Sequence, residues 1–283
     1  VDLSVTCFEI LRIAGIFIGL PPLTLSHPSL LQTAIDMSQK SYFIGTSGFH
    51  YKSWRETFYP ANLAEKDWLP FYADRFNSVE INNSFYRLPE KKTLAEWNDQ
   101  TPSGFSFTLK GSRYTTHMKK LKMDDDLRDS VNTFYNAAKV LKSKLGCVLW
   151  QLPGNLHRND DKLEAFCRLL PGTVPNCIEF RHESWFDDNV MDILDKSGTG
   201  FCIVSSPDKS LTKITDTGRL AYFRFHGENK NGHWYDYNYS DKELGQWSKN
   251  MKTSRQDIIF AYFNNDMHGY APQNAASLLN LME

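Results

Sequence analysis

The amino-acid sequence predicts an α/β protein, a single-domain (β/α)8 TIM barrel, on three observations. Short apolar runs alternate with segments of helical period, the pattern of a parallel sheet with crossover helices. Eight such runs fall within about 240 residues, close to the ~250 typical of this barrel. The runs repeatedly end in a charged or amide residue, as in Val79-Glu80-Ile81-Asn82, Ile178-Glu179-Phe180-Arg181 and Tyr222-Phe223-Arg224-Phe225-His226. Such groups are costly to bury without partners. In a barrel of this kind the C-terminal strand ends carry the functional groups. A doubly wound open sheet is the runner-up, but no G-x-G-x-x-G follows the first strand.

The elements follow in order. Residues 43–46 read as the first strand, and a loop with Tyr51, Trp54, Phe58 and Tyr59 follows. Trp68, Tyr72 and Phe76 recur every four residues and mark one helix face. Residues 78–82 are the second strand, and Pro89 opens a short helix with Leu94 and Trp97 inward. Residues 105–110 are the third strand. Leu127, Val131, Phe134, Ala138, Leu141 and Leu145 then form a long amphipathic helix, with Gly146 as its C-terminal cap.

The fourth strand spans 147–151, and Leu163, Phe166, Cys167 and Leu170 make the next helical stripe before Pro171-Gly172. The fifth strand spans 177–181, followed by a helix carrying Val190, Ile193 and Leu194. The sixth spans 201–204. Residues 205–218 show no helical stripe, so the sixth helix is expected to be irregular or missing. The seventh spans 220–226. Ser240-Asp241-Lys242-Glu243 is a capping box that opens a helix with Leu244, Trp247 and Met251. The eighth spans 258–264, and a helix over 275–282 follows.

Composition narrows the function classes. The chain has 283 residues, 41% hydrophobic and 14% aromatic, with 32 Lys+Arg against 33 Asp+Glu and a formal net charge of −1. No global positive field is available to hold a long polyanion. The five cysteines have no C-x-x-C spacing, which suits free thiols in a reducing cytoplasm better than a disulfide framework. Residues 1–40 read as an N-terminal extension and 41–283 as the barrel domain. The apolar stretch over 10–25 is interrupted by Pro21-Pro22, too short and broken for a membrane span. Asp2 and Glu9 stand where a signal peptide needs Lys or Arg. Residues 1–36 are therefore expected to be dispensable for the barrel, and the domain to begin near Met37.

The polar strand ends suggest the chemistry. Glu80 and Glu179 can act as general acid, general base or metal ligand. The competing reading is a structural ion pair with Arg181 or Arg224. Lys110, Arg181 and Arg224 place three cations on the same rim, and Arg grips carboxylates and phosphates bidentately. His226 precedes Gly227 at the end of the seventh strand and is the foremost histidine, ahead of His117 and His182. Gln151 and Asn264 offer amide hydrogen bonds. Aromatic residues in the loops, among them Trp185, Trp234, Tyr235, Tyr237 and Tyr239, can stack on a ligand, though packing over the barrel explains at least half of them.

Together these motifs form a recognisable set. Gly45-Thr46-Ser47-Gly48-Phe49, Trp54, Phe58-Tyr59-Pro60, Val79-Glu80-Ile81-Asn82-Asn83-Ser84-Phe85-Tyr86, Thr116-His117, Gln151-Leu152-Pro153, Glu179-Phe180-Arg181-His182 with Trp185, Arg224-Phe225-His226-Gly227 and Tyr262-Phe263-Asn264-Asn265-Asp266 resemble the YecE-like family, the domain of unknown function seventy-two. The resemblance covers about residues 42–282 and implies a TIM barrel without an established reaction. Phe49 stands where the family more often has Trp.

The leading expectation is an enzyme acting on a small anionic or polyhydroxylated substrate, phosphorylated or not. Glu80 and Glu179 would be its acid/base carboxylates and His226 a proton shuttle. Lys110, His117, Gln151, Arg181, Arg224 and Asn264 would bind substrate. Hydrolysis, lysis and isomerisation are not separated. No organic cofactor is expected. A metal-dependent variant, like the isomerase and endonuclease barrels, would use Glu80, Glu179 and His226 as ligands of a divalent ion. A third reading is a non-catalytic nucleic-acid or nucleotide binder using the aromatic loops and Lys119-Lys120-Leu121-Lys122, which the near-neutral charge disfavours. No membrane partner is expected.

Overall fold

The structure, a computed structural model, describes residues 40–283. The expectation of an extension over 1–40 lies, apart from Lys40, outside the described residues. Strands β1 (Ser41–Thr46), β2 (Ser78–Ile81), β3 (Ser106–Lys110), β4 (Leu145–Gln151), β5 (Asn176–Glu179), β6 (Gly200–Ser205), β7 (Ala221–Phe225) and β8 (Ile258–Phe263) form one parallel sheet. Its order is β1-β8-β7-β6-β5-β4-β3-β2, a nearly closed barrel. Helices α1 (Trp68–Ala73), α2 (Lys91–Asp99), α3 (Asp125–Ala138), α4 (Asp160–Leu169) and α5 (Asp188–Ser197) follow β1 to β5 in turn. Helices α6 (Asp241–Thr253) and α7 (Tyr270–Met282) follow β7 and β8. After β6 only a 3-10 turn, Lys209–Leu211, takes the helix's place, as the missing apolar stripe predicts.

Local chemistry sets the helix ends. The Asp124 side chain accepts from the Leu127 amide at the start of α3, and Ser240 with Glu243 forms the capping box of α6. One local expectation fails. Helix α3 ends at Ala138 and tightens into a 3-10 segment, Lys139–Lys144, broken at Lys142 with φ 52°. Gly146 is therefore not a helix cap but lies within β4. A Cβ there would sit 1.9 Å from the Ser106 hydroxyl, where the β3–β4 register shifts, so the close passage of two strands explains the glycine.

Strand alternation separates two faces. Val79, Ile81, Phe107, Leu109, Val148, Trp150, Ile178 and Phe223 belong to the large core shared with the helices. Cys147, Leu149, Cys177, Cys202, Tyr222, Phe260 and Tyr262 form a second cluster that fills the barrel. Two residues further along this inner face come Gln151, Glu179, Arg224 and Asn264. The lower barrel is thus mostly apolar and its C-terminal mouth polar.

The seam between β1 and β2 has one bridge, Ser47 to Glu80, in place of a ladder. Side chains stitch the rest. Asn77 accepts from the Ile44 amide at 2.9 Å and donates to the Tyr42 carbonyl at 2.7 Å. The Tyr72 hydroxyl accepts from the Thr46 amide at 2.8 Å and donates to the Ser78 carbonyl at 3.0 Å. Gly45 permits this approach, because a Cβ on it would lie 1.9 Å from the Ser78 oxygen.

Candidate functional site

The inner-face polar residues meet in one network below the barrel mouth. Arg224, on β7 and 1% exposed, donates through Nη1 to Glu179 Oε2 at 2.5 Å and through Nη2 to Glu80 Oε1 at 2.7 Å. Glu80 also accepts from Ser47 and from Tyr222, each at 2.6 Å. Glu179 accepts from Gln151 Nε2 at 3.0 Å and makes a close ion pair with Arg181 Nε. Burial alone would raise the Glu179 carboxyl. Arg181 and Arg224 instead hold it well below the usual carboxylate range. Both carboxylates are fully buried.

His226 is also fully buried, its Nε2 3.7 Å from Glu179 Oε1. Its Nε2 lies 3.0 Å from Arg181 Nη2, and a guanidinium nitrogen only donates. Nε2 is therefore the acceptor and Nδ1 carries the proton. The Asn264 amide group 3.2 Å from Nδ1 must then present its oxygen. Burial, then Arg181 and Arg224, push the His226 pKa down to about 3, so the ring is neutral at physiological pH.

Above this network opens a cavity of about 590 Å³, lined by Lys110, His117, Gln151, Arg181, Arg224 and Asn264 among others. Of the sequence-predicted residues, these six reach the cavity. Glu80, Glu179 and His226 are brought to the same place but are not among its lining residues. Asp208, exposed on the rim, is the acid in the lining. Charge matching makes Lys110 distinctive. Two carboxylates and two guanidiniums neutralise each other beneath the cavity. Among the described residues Lys110 Nζ has no ion pair or hydrogen bond, and it sits 4.4 Å over the Phe85 ring. Burial, then Arg224, lower its pKa to about 8 against the raising effect of Glu179 and Glu80. His117 packs edge-on against the same Phe85 ring at 4.9 Å, and burial followed by Lys110 lowers its pKa to about 4.

Asn82, the amide that ends the second strand run, lines the cavity too. Three wall residues fall outside the strand-end pattern, Tyr86, Trp234 and Tyr235, and Trp234 stacks 4.6 Å from the Arg181 guanidinium. Their sequence signal was weak, because loop aromatics mostly roof the barrel: Trp54, Tyr59, Trp185 and Tyr239 are buried. His182 accepts from the Ser184 amide in a 3-10 turn instead of lining this cavity. Among the described residues no group of three His, Cys, Asp or Glu side chains could hold a metal ion. The cation between Glu80 and Glu179 is Arg224 itself. Lys119 pairs with Asp124 and Asp126 and Lys122 with Asp124, so two of the three lysines of that basic segment are engaged by acids.

Residues 43–283 match the family described as "Protein of unknown function DUF72". The chain belongs to this family. The motifs that resemble the YecE-like family point to the same group. This DUF72 chain is 25% identical over 273 residues to the UPF0759 protein YunF of Bacillus subtilis (strain 168), covering 85% of this chain and 94% of the relative. A crystal structure of a DUF72 family protein from Thermotoga maritima MSB8 is similar with TM-score 0.77 and 28% identity, covering 85% of this chain and 98% of that one. A DUF72 family protein from Enterococcus faecalis V583 shares the fold, with TM-score 0.74 and 21% identity over 86% of this chain and 95% of that one. Among the described residues of this DUF72 protein, no helix is long and apolar enough to cross a membrane.

Proposed function

We propose that this DUF72 barrel is an enzyme that binds a small anionic molecule, phosphorylated or carboxylated, in the cavity at its C-terminal mouth. One observation carries the reading: among the described residues Lys110 is an unpaired cation in a concave site whose other buried charges are matched. A substrate oxyanion supplies its missing partner. Arg181 and Trp234 form the adjacent wall, where a permanent cation and an aromatic face suit a small polar ligand. Gln151 and Asn264 add amide groups.

The buried network redistributes the roles within this reading. Glu80 and Glu179 are sealed behind Arg224 and act as electrostatic supports for the guanidiniums. Neutral His226 orients Arg181 through its Nε2 lone pair. Proton transfer then falls to Lys110 and His117, which border the cavity. A divalent-metal variant is less well supported, because Arg224 already occupies the space between the two carboxylates. A nucleic-acid binder is less well supported too, because Lys119 and Lys122 are paired with acids.

The test is thermal unfolding in millimolar phosphate, sulfate and small phosphorylated sugars. Binding to the native state raises the melting temperature with ligand occupancy. Lys110→Met should abolish the rise. A wild-type melting temperature indifferent to all these anions would overturn the reading.

A further inference from the structure

We infer that Lys110 is a nucleophilic amine that condenses with a carbonyl group of the bound substrate to form a Schiff base. The inference rests on the anion-site reading and narrows it to substrates bearing an aldehyde or ketone.

Three features separate a reactive amine from a simple anion grip. A grip calls for a permanent charge such as the Arg181 guanidinium on the same cavity, whereas Lys110 is a cation that can give up its proton. Among the described residues Lys110 lacks the carboxylate partner that would hold it as an ammonium, although two carboxylates lie just below, both engaged by guanidiniums. Its half-buried Nζ rests on the face of Phe85. Desolvation beside other cations is a known way to free a lysine amine for attack. Its lowered pKa, about 8, agrees with this placement.

The neighbouring histidine suits the proton movements. The Thr116 hydroxyl donates to the Ser112 carbonyl at 3.2 Å and accepts from His117 Nδ1 at 2.9 Å. The His117 proton is then on Nδ1, and Nε2 keeps a lone pair on a ring that borders the cavity. The ammonium of Lys110 gives up one proton, relayed through solvent in the open cavity to His117 Nε2, and the amine attacks the carbonyl carbon. The nitrogen loses a second proton as the carbinolamine forms. The carbonyl oxygen takes up two protons in all and leaves as water. In balance, one lysine ammonium and one carbonyl group give one protonated imine and one water, with no net change in charge and with His117 restored.

Reductive trapping tests this. The protein is incubated with pyridoxal phosphate or with pyridoxal, reduced with borohydride and mapped by peptide mass spectrometry. Lys110 should be labelled well ahead of the exposed Lys66 and Lys92, since an amine with pKa near 8 has a neutral fraction at neutral pH roughly two hundred times that of a lysine side chain in a model peptide. Labelling should be half-maximal near pH 8 and suppressed by inorganic phosphate. Lys110→Arg should lose the label yet keep the phosphate-induced rise in melting temperature. If phosphate stabilises the wild type but Lys110 is labelled no faster than Lys66 and Lys92, the Schiff-base inference falls and the anion site stands. If pyridoxal labels Lys110 first while phosphate has no effect, the anion site falls and the nucleophile stands. Failure of both overturns both.

Discussion

Arg224 on β7 donates to Glu80 on β2 at 2.7 Å, a tie across 144 positions of sequence that joins strands separated in the sheet by β8 and β1. The same guanidinium holds Glu179, so one cation bridges two buried carboxylates. Arg224→Met should therefore destabilise the barrel by about 3–5 kcal/mol, the usual cost of leaving buried charge unpaired. Urea unfolding measures it. A loss below about 1 kcal/mol would mean that water reaches the carboxylates and replaces the ion pairs.

Arg181 should behave differently, because its guanidinium borders the cavity. Arg181→Met should destabilise less than Arg224→Met and should abolish phosphate-induced thermal stabilisation. Intact stabilisation in that variant would assign anion binding to Lys110 alone.

The buried neutral His226 makes stability depend on pH. Its native pKa, about 3, lies below its ordinary 6.5. The unfolded chain therefore binds the extra proton first as pH falls. This contribution is intact above pH 6.5 and is lost progressively toward pH 3. Between pH 7 and 5 the wild type should lose about 2 kcal/mol more than His226→Gln. Chemical denaturation at the two pH values decides. Equal losses would show that the imidazole ionises readily in the folded state.

Tyr72 closes the β1–β2 seam, where its hydroxyl meets the Thr46 amide and the Ser78 carbonyl. Tyr72→Phe leaves both groups short of a partner and should cost about 1–3 kcal/mol. Hydrogen exchange at the Thr46 amide should accelerate by more than exchange in the β7–β8 ladder. Uniform acceleration along both would show that the seam opens only with global unfolding.

The amino-acid sequence already carried the eight-strand alternation, the capping box at Ser240 and the want of a regular sixth helix. It also placed Glu80, Lys110, Gln151, Glu179, Arg181, Arg224, His226 and Asn264 at strand ends. These features are local: a period of two or 3.6 residues, a cap, a missing stripe. The folded barrel chose the partners. It put Arg224 between both carboxylates, left Lys110 without a charged partner among the described residues and gave the His226 lone pair to Arg181. It also moved Gly146 from a helix end into β4 and closed the β1–β2 seam with Asn77 and Tyr72. Ion pairs and hydrogen bonds act over a few ångströms and depend on strand register around the closed barrel, so contacts between residues such as Glu80 and Arg224 leave no periodic trace along the chain.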